Sequence, residues 1–275
     1  MTLNDLNNIS DLFPSTPKMP VLFLGHGSPM NAIEENVFVQ GFRKAAQEIP
    51  KPNAILCVSA HWFTQGTKVT AMQMPQTIHD FYGFPQELFN VQYSAPGSPE
   101  LAHETAALLA PTIVEEDHSW GLDHGAWSVI KHMYPEADIP VIQLSIDYTK
   151  DANYHFDLAN RLHKLREKGV LIIGSGNIVH NLRLIDWRNI NTVGAGWDWA
   201  VEAREMTNNW ILDGQFKNLI DYQKQGTALQ YAIPSPDHYL PLIYSLGLKD
   251  SNDEIRLFND ELIGGSLSMT SVRIG

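Results

Sequence analysis

Three short apolar runs, each stopping at glycine or a small residue and handing on to a histidine, limit most sharply what this chain can fold into. Residues 21–30 read Val-Leu-Phe-Leu-Gly-His-Gly-Ser-Pro-Met, and residues 54–61 read Ala-Ile-Leu-Cys-Val-Ser-Ala-His. Residues 170–180 pass from Val-Leu-Ile-Ile through Gly-Ser-Gly-Asn to His180. Runs of this length without polar alternation fit strands covered on both faces, the habit of parallel sheets flanked by helices. Between the first two runs, Val37, Phe38, Phe42, Ala45, Ala46 and Ile49 recur at helical spacing, and Pro50 and Pro52 stop that helix. Strand, helix and strand in this order form a βαβ unit whose strands are parallel and end on the same side. Ligands of open α/β sheets bind beyond those carboxyl ends. His26 and His61 are therefore expected to lie close together.

The rest of the chain continues the alternation. Helices are expected over residues 99–109, 126–133, 154–168, 197–212 and 242–246, and strands over 112–116, 140–146 and 266–274. The 154–168 segment carries Leu158, Leu162 and Leu165 on one stripe and ends at Gly169. The polar stretch from 213 to 227 reads as surface. Residues 66–96 mix Thr, Val, Tyr and Phe with Gly and Pro around His79-Asp80-Phe81-Tyr82, the pattern of short strands and an ordered loop, and long loops tend to carry function. With no repeat or linker, the expected architecture is a single α/β domain. A central, mostly parallel or mixed sheet is flanked by helices, with the active site at the carboxyl ends of the strands. That domain spans 19–275, after a flexible extension at 1–18.

Composition removes several classes of function. A net charge of -12 offers no basic surface for nucleic acid. Cys57 is the sole cysteine, so there is no internal disulfide and no thiolate-rich metal site. No run of about 18 apolar residues is present to span a membrane. The first residues lack the basic and apolar regions of a secretory signal. A cytoplasmic protein with a small-molecule partner, acting as a monomer or small homo-oligomer, is the expectation.

The 11 histidines divide by context. His103, His132, His155 and His163 fall within helical patterns and read as packing or surface residues, and His118 beside Glu115, Glu116 and Asp117 reads as solvated. His26, His61, His124, His180 and His238 differ, since each lies where a core element ends in Gly, Pro or Ser. Neutral imidazole is the commonest metal ligand, and several of them at one sheet edge suit Fe(II) or Zn(II). The residues alone point to a metal-dependent enzyme, with a zinc hydrolase activating water and a metal-binding protein without catalysis among the readings left open.

Gly25-His26-Gly27-Ser28-Pro29-Met30, Ser59-Ala60-His61-Trp62, Trp120-Gly121-Leu122-Asp123-His124-Gly125, Gly176-Asn177-Ile178-Val179-His180-Asn181-Leu182 and Pro236-Asp237-His238-Tyr239-Leu240-Pro241 together resemble the DOPA 4,5-dioxygenase-type class III extradiol ring-cleavage dioxygenases. The resemblance runs from about Pro20 to the carboxyl terminus and includes Ser266-Leu267-Ser268-Met269. It implies a catechol substrate such as L-DOPA, O₂ as co-substrate, and ring opening to 4,5-seco-DOPA. It further implies His26, His61 and His238 as metal ligands, with His180 as active-site base and fourth ligand. His124 becomes a second active-site histidine facing substrate or oxygen. Fe(II) is expected for activity, with Zn(II) as the alternative occupant of the isolated protein. Relatives that cleave protocatechuate use two histidines and a glutamate, so His238 in the third position is a departure from that pattern. Trp62, Phe63, Phe81 and Tyr82 are the aromatics expected to pack against the substrate ring.

Overall fold

The computed structural model describes residues 16–275. In chain order its main elements are β1 (Val21–Gly25), α1 (Val37–Gln47), β2 (Ala54–Thr64), β3 (Thr67–Thr70), α2 (Pro99–Leu108), β4 (Val114–Asp117), α3 (His124–Met133), β5 (Val141–Asp147), α4 (Ala152–Asn160), α5 (His163–Glu167), β6 (Val170–Gly176), α6 (Asp198–Leu212), α7 (Leu240–Gly247), β7 (Ile255–Phe258), β8 (Leu262–Ile263), β9 (Leu267–Ser268) and β10 (Ser271–Ile274). One sheet takes the order β4-β3-β5-β2-β6-β1-β10-β7. Its centre, β5-β2-β6-β1, is parallel, while β10 runs antiparallel to both β1 and β7. This is the α/β single-domain architecture with a mixed sheet that the apolar runs require.

Alternate residues of each central strand serve opposite faces. Val21, Phe23, Leu56 and Val58 pack with Leu158, Leu242 and Ile243 on one side. Leu22, Leu24, Ile55 and Cys57 pack with Phe38, Phe42 and Trp127 on the other. Asn36 caps α1, its side chain accepting from the N–H groups of Phe38 and Val39, and Ser98 caps α2 in the same way through Leu101. No helix among the described residues is long and apolar enough to cross a membrane.

Several local expectations are corrected. β6 inserts between β1 and β2, which are parallel without being neighbours. β2 continues through Thr64 instead of ending before His61, its register against β5 shifting between Val58 and Phe63. The helix expected over 154–168 is two helices, because the N–H groups of Arg161 and Leu162 bond three residues back, to Leu158 and Ala159. The stretch read as surface contains a helix at Phe216–Ile220 and buries Leu219 and Tyr222. The closing strand is broken into β9 and β10 at Met269 and Thr270. The extension expected at 1–18 lies outside the described residues up to position 15; beyond it, Lys18 pairs with Asp250 and Asp253.

Candidate active site

Strand register explains how histidines distant in sequence meet. Leu24, Ser175 and Ser59 sit side by side on β1, β6 and β2. His26 and His61 each follow two residues later and share that face by the strand period. The intervening strand contributes only the small Ser175 there. His124 is the first residue of α3, whose cap Asp123 accepts from the Ala126 N–H. His180 follows β6, held by its N–H to the Ala232 carbonyl at 2.8 Å. His238 sits just before α7, where its carbonyl accepts from the Asn177 N–H at 2.9 Å. A side chain on Gly176 would stand 2.1 Å from that carbonyl, so only glycine lets the segment approach.

The rings converge. Centroids of His26, His61, His124 and His238 stand 3.8–5.8 Å from one another in the pairs that touch, and His180 stacks on His238 at 3.6 Å and 5°. Donor atoms of His26, His61 and His124 lie within 4.8 Å of one another, and so do those of His180, Asp237 and His238. The Nδ1 sides are committed to protein partners. The Ser175 hydroxyl donates to the Gly125 carbonyl and so accepts from Nδ1 of His26 at 3.0 Å. Asp80 Oδ2 stands 3.3 Å from Nδ1 of His61 and 2.9 Å from Nδ1 of His124, while its Oδ1 accepts from the His124 backbone N–H. The His124 contact is electrostatic in character, because the ring N–H does not point along it. Asp237 accepts from Nδ1 of His238. His180 has no hydrogen bond to either ring nitrogen among the described residues, and His124 is held through its backbone N–H and the charge of Asp80.

This pattern fits a divalent cation. With Nδ1 of His26 donating to Ser175 and the Asp80 charge favouring the proton on Nδ1 of His61, Nε2 of His26 and Nε2 of His61 face each other as lone pairs at 3.3 Å. Two nitrogens each about 2.0–2.1 Å from one ion at a tetrahedral angle stand about 3.3–3.4 Å apart. A cation between them turns a repulsion into ligation, and carboxylates behind the imidazoles are the usual support for such ligands. Burial first, then the neighbouring imidazoles, holds His26 and His61 well below the ordinary histidine value and brings His180 down to about 3. These three are neutral at pH 7, the ligating and proton-accepting form. Burial opposes ionisation of Asp80 and Asp237, yet their histidine partners outweigh it and keep both below the usual carboxylate range.

The five histidines form the floor of a cavity of about 360 Å³. Phe81 and Phe84 wall one part, and Leu182, Ile185, Trp187, Ile190 and Leu267 another. Of the aromatics expected against a substrate ring, only Phe81 lines this space, edge-on to His124 at 5.5 Å. Trp62 stacks on Trp120, Phe63 packs against Tyr148, and Tyr82 is 91% exposed. Sequence reasoning passed over Asp80 and Ser175, which hold the rings. The residues themselves carried a signal for Asp80, in an acidic side chain beside His79 in a long loop, and none for Ser175. His79 is turned away, bonded to the Val91 carbonyl.

The model of a family described as "Catalytic LigB subunit of aromatic ring-opening dioxygenase" matches residues 17–267. The chain is 46% identical over 272 residues to the 4,5-DOPA dioxygenase extradiol of Escherichia coli K12, covering 97% of this chain and 98% of that protein. It is 36% identical over 257 residues to the protein of the same name from Beta vulgaris, covering 91% and 94%. A crystal structure of an uncharacterized protein from Escherichia coli K12 superposes with a TM-score of 0.80 at 42% identity, covering 94% of this chain and 100% of the other. With a histidine cluster able to bind a metal at the carboxyl ends of its sheet, the chain belongs to the family of the catalytic LigB subunit of aromatic ring-opening dioxygenases, which act on a catechol and O₂.

Proposed function

We propose that this chain opens the ring of a catechol such as L-DOPA with O₂, giving 4,5-seco-DOPA, with Fe(II) held by His26, His61 and His238. The observation that carries the reading is the meeting of five histidines on one cavity floor, with four of the rings backed on the Nδ1 side by Ser175, Asp80 or Asp237. The names of the Escherichia coli and Beta vulgaris relatives support the substrate. The reaction balances without a further reductant: the C4–C5 bond breaks and both oxygen atoms remain in the product. Bound Fe(II) supplies a Lewis acid that lowers the catechol hydroxyl pKa values and a redox centre that links the ring to O₂. Zn(II) fits the same imidazole face and supplies no redox chemistry.

The protein's own residues do the rest. His180, stacked on His238 with both ring nitrogens free of hydrogen-bond partners among the described residues, takes the second hydroxyl proton as general base and would be the fourth residue able to hold the ion. His124, fixed to Asp80 through its backbone N–H, faces the substrate from the other side and delivers a proton to oxygen as the ring opens. Phe81 and Phe84 cover that side and exclude water.

The test is oxygen uptake by protein loaded anaerobically with Fe(II), then given L-DOPA and air while absorbance is recorded. Uptake with growth of a yellow product, lost in His26→Ala and His180→Ala, is expected. No uptake with L-DOPA or simpler catechols, together with ester or phosphoester hydrolysis under Zn(II), would overturn the reading in favour of a hydrolase.

A further inference from the structure

We infer that the cavity selects catechols whose ring substituent is apolar and uncharged, and that the charged end of L-DOPA is tolerated at the mouth without being recognised there. This rests on the catechol reading above and goes past it to the class of substrate.

Among the residues lining the cavity there is no Asp, Glu, Lys, Arg, Asn or Gln. Apart from the histidines, the one polar side chain is Ser28, whose hydroxyl already accepts from the Met30 N–H. A second chamber of about 310 Å³ shares Ser28, Phe84, Trp187, Ile190 and Leu267 with the first, so the way outward from the histidines is an apolar neck. Trp187 is 73% exposed and marks its outer edge. Beyond the neck, Asn31 and Asn36 are spent on structure: Asn31 donates to the His26 carbonyl, Asn36 donates to Asn31, and the Asn36 oxygen caps α1. Asn191, the remaining amide there, is exposed and carries no charge to pair with either end of an amino acid. Glu34, the one charged residue of the outer chamber, is exposed: it repels a carboxylate and offers an ammonium only a solvent-screened partner.

Recognition of an amino acid end requires partners for two opposite charges, and neither chamber presents a cation. A charged end must stay hydrated, so a three-carbon chain that carries it can lay only its ring-proximal carbons against Phe84, Trp187 and Ile190 and must hold the rest in water. An uncharged chain does settle there, and each buried methylene raises affinity about three- to fourfold. A three-carbon chain then gains tenfold or more.

Three catechols share a ring and a three-carbon chain and differ in charge: 4-propylcatechol, 3-(3,4-dihydroxyphenyl)propanoate and L-DOPA. With Fe(II)-loaded protein, kcat/KM for 4-propylcatechol is expected to exceed that of each charged analogue at least tenfold, carried by KM. Binding to Zn(II)-loaded protein under argon, followed by tryptophan fluorescence, should give the same order without turnover. Ile190→Arg, which places a cation at the neck, should raise the propanoate-to-propylcatechol ratio of kcat/KM tenfold. L-DOPA cleaved as well as or better than 4-propylcatechol overturns the inference alone. Cleavage of none of the three, with 4-propylcatechol still binding tightest, overturns the ring-opening reading and leaves the apolar preference as a property of binding. An unchanged ratio in Ile190→Arg also counts against it.

Discussion

Replacing Asp80 by Asn isolates how much of the metal centre is made by a residue that offers no obvious ligand. The carboxylate accepts from the His124 backbone N–H at 2.9 Å and sets its charge beside Nδ1 of His124 at 2.9 Å and Nδ1 of His61 at 3.3 Å. Asparagine is nearly isosteric, and its oxygen can keep the backbone bond. Its neutral side chain removes the negative charge that favours a proton on Nδ1 of both rings, and its NH₂ group faces Nδ1 of His61 as a donor. His61 answers by rotating or by moving its proton to Nε2, and either change removes the lone pair aimed at His26 and the cation site. Loss of such a supporting carboxylate costs about 10- to 100-fold in metal affinity, or about 1.4–2.7 kcal/mol. Competition with a chromophoric chelator, using Zn(II) so that oxidation plays no part, reads the affinity directly. A thermal melt of the metal-free variant checks that the fold is retained. Affinity within twofold of wild type, in a variant that melts normally, would refute the claim that Asp80 orients His61 and His124.

His180→Gln should retain metal within about tenfold while kcat falls at least about 100-fold, the usual range for a lost general base; parallel loss of metal and activity would make it chiefly a ligand. His155 is buried, with Nδ1 accepting from the Tyr244 hydroxyl and Nε2 donating to the Asp147 carbonyl, and burial brings its pKa down to about 4. The unfolded chain therefore binds this proton more readily. Stability from His155 is complete above pH 6.5 and declines by about 3 kcal/mol as pH falls towards 4, a slope that urea titrations should find reduced in His155→Gln. A methyl group on Gly125 would sit 2.4 Å from the Ser59 hydroxyl and 2.8 Å from Cδ2 of His61. Gly125→Ala should thus cost about 1–3 kcal/mol in denaturant unfolding and weaken metal binding as well.

What could be read from residues and what could not divide along physical lines. The strands ending near His26 and His180 were legible because their runs are apolar on both faces, and no other arrangement buries such a run so simply. The continuation of β2 through His61 was not, since Trp62 and Phe63 at a register shift look the same in sequence as residues leaving a sheet. The insertion of β6 between β1 and β2 depends on a pairing more than 100 residues away in the chain, which local pattern does not encode. Convergence of the five histidines was inferred from repeated strand-end placement, and the structure brings them into contact. Asp80 and Ser175 escaped because their role is to bond an imidazole far off in sequence. The loop aromatics were ambiguous for a similar reason, and only Phe81 turned inward. Leu182, Ile185, Trp187 and Ile190 carry no periodic signal, so the apolar wall they build was visible only in three dimensions.

The five histidines come from the residue after β1, from β2, from α3, from the segment after β6 and from the turn before α7, so no contiguous part of the chain contains the centre. Metal occupancy is therefore linked to the cooperative unfolding of the whole sheet. At a hundred times the dissociation constant, the ion adds about 2.7 kcal/mol to global stability. That gain is distributed: amide hydrogen exchange should slow together in β1, β2, β6 and α7 on loading, since opening any one of them would withdraw a histidine of the proposed centre. Metal scarcity would then be felt as shortened protein lifetime as well as lost turnover, because the metal-free chain visits its unfolded state more often wherever a protease can reach it.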